Sequence, residues 1–173
     1  MRLVGARLTC FDIAHALGSS GGISRQTKVM PYLGGRYEPL IRRANENWQS
    51  LEKYSGQKVF HQCGYLQLGK NQRLPSGQAT KIELYDESIL RDRFPQFQDL
   101  PRGTNGLFDH QGGLLRSELA IASHCHVALK QGAQIRAQEA VTDWSTDEDS
   151  VTVITNRGKY RAKHLVLAAG LYR

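Results

Sequence analysis

An α/β or mixed α+β fold is predicted for this 173-residue chain by three observations. Two stretches carry apolar residues at helical spacing. The last forty residues are short β-type segments parted by turn signals. The chain then runs into an apolar stretch of the kind that a parallel strand covered on both faces requires.

Arg7 to Phe11 reads as a short strand ended by Asp12, followed by the small-residue loop Gly18-Ser19-Ser20-Gly21-Gly22-Ile23-Ser24-Arg25. Two further glycines, Gly34-Gly35, precede a helix in which Leu40, Ile41, Ala44, Trp48 and Leu51 recur every three to four residues. Gly56 supplies its stop signal. Val59 to Leu68 reads as two short strands around Gly64, with Leu66 and Leu68 facing opposite to Tyr65 and Gln67. Lys70 to Gln78 is polar, with Pro75 and Gly77, and reads as a surface loop. Asp86 to Phe94 reads as a short helix that Pro95 ends. Phe108 to Gly113 is turn-rich.

A second long helix is expected from Leu115 to Lys130, with Leu115, Leu119, Ala122, His126 and Leu129 on one face and Gly132 as its C-terminal signal. Strands follow at Gln134 to Arg136, Val141 to Trp144, Val151 to Thr155 and Lys159 to Ala162. Asp147-Glu148-Asp149 reads as a solvated turn, and Asn156-Arg157-Gly158 as a hairpin turn. Leu165 to Ala169 is the expected buried parallel strand, and it needs neighbours that the chain hardly provides.

Composition narrows the function. Hydrophobic residues make up 40% of the chain, which argues against global disorder. No apolar run approaches the roughly 18 residues of a membrane span, and the start is too interrupted for a signal peptide, so the cytoplasm is the expected location. Three cysteines, Cys10, Cys63 and Cys125, are odd in number and far apart, which argues against a disulfide framework. No metal is expected: His124 and His126 point to different helix faces. The net charge of +7 comes from scattered basic residues without interleaved aromatics, so neither nucleic acid nor a membrane is an expected partner.

The Gly18 to Arg25 loop carries the chemistry. Small residues let the backbone approach a ligand, and successive N–H groups can converge on phosphate oxygens. Ser19, Ser20 and Ser24 add hydroxyls, and Arg25 and Lys28 add positive charge. On composition alone a flexible surface loop is the favoured account of these residues.

From Phe11-Asp12 through Gly18 to Arg25, then Gly35-Arg36-Tyr37-Glu38-Pro39-Leu40, Trp48 and Leu51-Glu52, the chain resembles FAD-dependent amine oxidases of the D-amino-acid oxidase superfamily, of the sarcosine oxidase and N-methyltryptophan oxidase type. Gly64-Tyr65-Leu66 with Leu68-Gly69 is similar to their Gly-Val-Leu-x-x-Gly strand, and Arg93-Phe94-Pro95 to their Arg-Trp-Pro or Arg-Phe-Pro. Gly113-Leu114-Leu115-Arg116-Ser117-Glu118-Leu119-Ala120-Ile121 is similar to a Gly-Phe-Leu-Arg-Ser-Glu-Leu-Ala-Ile stretch of the N-methyltryptophan branch. Gly132-Ala133, Val141, Val151 to Thr155, Gly158-Lys159-Tyr160 and Ala168-Ala169-Gly170 follow in the family's order. The resemblance covers nearly the whole chain. No single motif is decisive, but their order and spacing together are fairly specific.

The resemblance implies a partial FAD/NAD(P)-binding (glutathione-reductase-like) domain with part of a substrate-binding domain. Residues 1–173 form a single incomplete domain in this reading, with 1–58 and 114–173 as the FAD-binding part and 59–113 as the start of the substrate domain. FAD is the implied cofactor, and a small amino acid and oxygen are the implied partners. Ser19 and Ser20 fall where the loop meets the diphosphate and ribityl region. Ser24 and Arg25 match a Thr-Arg pair against the isoalloxazine ring, with Arg25 in the catalytic role of a fixed cation that stabilises reduced flavin. Lys28 falls where the family has an Arg that meets the substrate carboxylate; Lys keeps the charge but loses the bidentate fork. Val141 matches a strand residue whose backbone meets adenine, and Gly170 a glycine packed near the diphosphate.

The departures are definite. GxGxxG is absent, Gly5 standing alone where it should precede, and Thr9 replaces the acidic residue that holds the ribose. The matched segment begins at the family's second strand and stops before its substrate domain is complete. The chain is therefore expected to be a piece of a longer enzyme that oxidises a secondary N-methyl amino acid, inactive alone and weak in binding FAD. A non-catalytic remnant without cofactor is the alternative, and a basic binding module a more distant one.

Overall fold

The computed structural model describes residues 20–29, 36–74, 81–97 and 99–168, and the backbone of 7–10. In chain order the elements are β1 (Arg7–Cys10), β2 (Arg25–Thr27), α1 (Glu38–Ser55), β3 (Phe60–His61), β4 (Tyr65–Lys70), β5 (Ile82–Tyr85) and α2 (Glu87–Arg93). Then come β6 (Thr104–Asp109), β7 (Gly113–Leu115), α3 (Ser117–Lys130), β8 (Gln134–Ala137), β9 (Val141–Thr146), β10 (Val151–Thr155) and β11 (Lys159–Ala162). They fall into two compact units, one of Met1–Gly22 with Glu118–Arg173 and the other of Ile23–Ser117.

The Ile23–Ser117 unit holds two three-stranded antiparallel sheets, ordered β2-β7-β3 and β4-β6-β5. Helix α1 ends where expected: Gly56 adopts φ +73°, which costs glycine no Cβ clash, and its N–H closes on Glu52 O at 2.8 Å. Glu52 then turns the chain into β3. Its Oε1 accepts the amides of Val59 at 2.9 Å and Phe60 at 2.7 Å, and its Oε2 accepts Lys58 Nζ at 2.9 Å. The alternation read along β4 is observed. A Cβ built on Gly106 would meet Leu66, Leu68 and Leu90, so these leucines share the face that α2 covers, with Leu90 fully buried. Asp86 caps α2 through Ile89 N at 2.9 Å.

The other unit pairs β1 with β8 in parallel and stacks β11-β10-β9 antiparallel. The Asn156-Arg157-Gly158 turn forms, closed by Thr155 N to Gly158 O at 2.8 Å, and Asp147 to Asp149 form an exposed turn closed by Asp147 N to Ser150 O at 2.9 Å.

Four expectations are corrected. Leu165 to Ala168 form no strand: Val166 is 86% and Leu167 64% exposed. Among the described residues no strand lies beside them, and extended backbone needs a ladder partner to hold it; Ala169 lies outside those residues. Leu115 belongs to β7, paired with Arg25 and Phe60, so the second long helix starts at Ser117. Its buried residues are Ser117, Ala120 and Ser123, whereas Ala122, His126 and Leu129 are exposed. The supposed turn region from Phe108 contains the end of β6, a strand absent from the sequence reading, as was β5.

Candidate functional site

The site residues belong to different units. In the Ile23–Ser117 unit, Ser24 and Arg25 are exposed; Arg25 opens β2 opposite Leu115, and its Nη1 donates to Ser24 O at 2.9 Å. Three residues on, Lys28 is half-buried. Its Nζ donates to Tyr65 Oη at 3.3 Å and stands 4.7 Å from the centre of the Tyr65 ring. In the other unit, Ser20 is exposed in a turn and Val141 opens β9, 43% exposed. Ser19 and Gly170 lie outside the described residues.

The Lys28–Tyr65 contact is built from below. Asp109, on β6, is completely buried and faces Tyr65 across the β4–β6 ladder. Its Oδ2 accepts the amide of Val29 at 2.6 Å, and its Oδ1 the amide of Gln111 at 2.9 Å. The residue after Lys28 is thus pinned to the strand partner of Tyr65. Gly112 completes the seat: a Cβ there would fall 2.5 Å from Tyr65 Cβ and 3.0 Å from Thr27 O, so only glycine admits this approach.

Lys28 also borders an open cleft of about 460 Å3 between β2 and α1, lined by Gln26, Thr27, Tyr37, Ile41, Ala44, Asn45 and Trp48. Thr27 Oγ1 donates to Asn45 Oδ1 at 3.3 Å.

The Gly/Ser loop is anchored at its end. Gly22, at φ +106°, donates its amide to Glu118 Oε1 in the first turn of α3 at 3.2 Å. That carboxylate therefore fixes the loop where Gly21 is buried and Ser20 exposed. β9 is an edge strand of its sheet, so half of its backbone polar groups point away from the ladder. Within the Ile23–Ser117 unit, the Ser24 hydroxyl, the Arg25 guanidinium and the Lys28 ammonium near the ends of β2 are donors and cations of the kind an anionic group takes.

A second polar cluster was not anticipated. Arg93 Nη1 donates to Tyr85 Oη at 2.6 Å, and Tyr85 Oη to Glu83 Oε2 at 2.8 Å. His110 Nε2 lies 3.1 Å from Glu83 Oε1, off the line of a hydrogen bond. Tyr85 stacks on Phe108 with 5.5 Å between ring centres. Burial, then the hydrogen bond to Glu83 and its charge, push the Tyr85 phenol above its usual 10.0, against the opposing pull of Arg93.

Sequence reasoning missed Tyr65, Asp109 and Glu118 as parts of the site. For Tyr65 a signal existed, since tyrosine stands where the resembling strand has valine. Asp109 is 80 residues from its partner Val29, and nothing in its local pattern pointed there.

The family model described as FAD dependent oxidoreductase matches residues 9–173. Monomeric sarcosine oxidase of Streptomyces avermitilis is 30% identical, over 97% of this chain and 46% of that enzyme. N-methyl-L-tryptophan oxidase of Yersinia pestis is also 30% identical, over 97% of this chain and 48% of that enzyme. Among solved structures, NikD, an amino acid oxidase of nikkomycin biosynthesis, superposes with a TM-score of 0.72 at 26% identity, covering 91% of this chain and 42% of that one. L-amino acid deaminase of Proteus vulgaris shares the fold, with a TM-score of 0.74 at 14% identity, covering 99% of this chain and 48% of that one. The chain belongs to the FAD dependent oxidoreductase family, whose cofactor is FAD. It spans about half the length of the relatives it matches.

Proposed function

We propose that this chain is part of an oxidase that binds FAD and oxidises a secondary N-methyl amino acid to its imine, with oxygen as the electron acceptor. The observation that carries the reading is Lys28: a half-buried residue that borders a cleft and holds its ammonium against Tyr65, in a family whose relatives bear the names sarcosine oxidase and N-methyl-L-tryptophan oxidase. FAD, when bound, would supply the redox chemistry: it would take up the electron pair of the substrate C–H bond next to nitrogen, with loss of the N–H proton, so that C–N becomes C=N. The chain's own residues bind and orient. Lys28 holds the substrate carboxylate. Arg25 provides fixed positive charge where negative charge grows in the reaction. Ser19, Ser20 and Ser24 donate to the cofactor, Val141 offers backbone groups to adenine, and Gly170 allows close approach. Residues 1–58 and 114–173 serve the cofactor and 59–113 begin the substrate domain. The 173-residue chain by itself is inactive and holds FAD weakly.

The test is a chimera in which residues 1–173 replace the matching segment of a monomeric sarcosine oxidase, alongside the chain alone. The chimera should carry flavin and consume oxygen with N-methylglycine, and the chain alone should do neither. A folded, flavin-loaded chimera that ignores every N-methyl amino acid would overturn the substrate assignment. Turnover by the chain alone would overturn its expected inactivity.

A further inference from the structure

We propose that Lys28 and Tyr65 together form a two-donor receptor for the substrate carboxylate, with the Tyr65 hydroxyl as the second arm; this deepens the reading of Lys28 given above and rests on it. An ammonium is a point charge on a flexible stem. Alone it fixes neither the direction nor the second oxygen of a carboxylate, as a guanidinium fork does.

Tyr65 supplies what is missing. Its oxygen accepts from Lys28 Nζ at 3.3 Å, and among the described residues nothing accepts the phenol's own proton. Accepting from a cation makes the O–H a stronger donor, since hydrogen bonds in a chain polarise one another. The two donor atoms stand 3.3 Å apart, a spacing at which one carboxylate takes a bond from each through its two oxygens.

The pair is also preorganised. Tyr65 is held by the β4–β6 ladder and by its approach to Gly112, which leaves no room for a Cβ. Lys28 is held by the bond from Val29 to buried Asp109 and by the Tyr65 ring 4.7 Å below its ammonium. An ammonium fixed this way loses less side-chain entropy on binding than a free surface lysine. Both residues depart from the resembling pattern, Lys for Arg and Tyr for Val, and the structure puts the two departures in contact.

The chain has two tryptophans, and Trp48 lines the cleft that Lys28 borders. In a Trp144→Phe background, Trp48 emission therefore reports occupancy. The probes are N-methylglycine, its uncharged N-methylamide, and acetate. N-methylglycine should change the emission saturably and the amide should not. Tyr65→Phe keeps the ring and the cation–π contact but removes the hydroxyl, and should weaken N-methylglycine binding about 10-fold, the loss expected for one hydrogen bond to a charged group. Lys28→Met should abolish it, and Lys28→Arg with Tyr65→Val should restore it, because a guanidinium carries both donors. An unfolding midpoint unchanged by Tyr65→Phe separates lost recognition from lost structure. Unchanged affinity in Tyr65→Phe, equal binding of the amide, or no saturable response would overturn the receptor. Acetate binding as tightly as N-methylglycine would leave the receptor standing and remove its support for an amino-acid substrate. An inactive but flavin-loaded chimera whose receptor still binds N-methylglycine would count against the oxidase reading alone.

Discussion

The carboxylate of Asp109 accepts the amide of Val29 at 2.6 Å from a position with no solvent exposure. The same residue faces Tyr65 across the ladder and accepts the amide of Gln111. One buried side chain thereby joins the end of β2 to the sheet that presents Tyr65. Replacing it with asparagine turns one acceptor into a donor that faces an N–H. Asp109→Asn should cost about 1.5–3 kcal/mol. Urea unfolding measures this, and a loss below half a kilocalorie would show that the carboxylate is not holding Val29.

Gly112→Ala tests the same seat by steric means. The added methyl meets Tyr65 Cβ and the backbone of Thr27, neither the far end of a flexible chain. A destabilisation of about 1–3 kcal/mol is expected, together with weaker binding of N-methylglycine as Tyr65 shifts away from Lys28.

Glu52 sets an acid limit on the unit of residues 23–117. Burial, the largest single influence, pushes its pKa up. The Phe60 amide, the Lys58 ammonium and the Val59 amide together outweigh that and hold it below the usual 4.5. Because the folded value is depressed, the stabilisation is complete above the unfolded pKa and disappears as pH falls through the folded one. Stability measured from pH 6 down to pH 3 should fall in wild type, and Glu52→Gln should flatten that part of the profile while lowering stability at pH 6. An unchanged profile would refute the assignment.

Tyr85 sets the alkaline counterpart. Its raised pKa favours the protonated phenol in the fold, so the contribution is complete below pH 10.0 and disappears as pH rises through the folded value. Tyr85 should ionise above pH 10.0. Absorbance at the tyrosinate band should lose a step above that pH in Tyr85→Phe. A loss from the early part of the curve instead would show that the phenol is not shielded.

Arg25→Ala in the flavin-loaded chimera should slow flavin reduction by about 2–4 kcal/mol in barrier, the scale for removing one preorganised charge-stabilising donor. Stopped-flow reduction with N-methylglycine checks it. A parental rate would make Arg25 a surface charge.

Local signals and the family resemblance were enough to read much of this protein from its sequence. Spacing gave α1 and its Gly56 stop, Asp86 gave α2 its start, and Asn156-Arg157-Gly158 gave the hairpin, because propensity, capping and turn chemistry act within a few residues. The order of short motifs gave the family and its cofactor. The tertiary structure alone decided what depends on contacts across long separations. It left Leu165 to Ala168 outside any strand and exposed Val166 to Ala168, since an apolar run becomes a strand only beside a ladder partner. It buried Ser117, Ala120 and Ser123 of α3 and exposed Ala122, His126 and Leu129, because burial follows what the fold lays against a helix and not the apolar stripe alone. It also brought Lys28 to Tyr65, 37 residues away, through a bond from Val29 to Asp109 that spans 80. A buried carboxylate must find backbone donors wherever the fold supplies them, and no local pattern specifies which they will be.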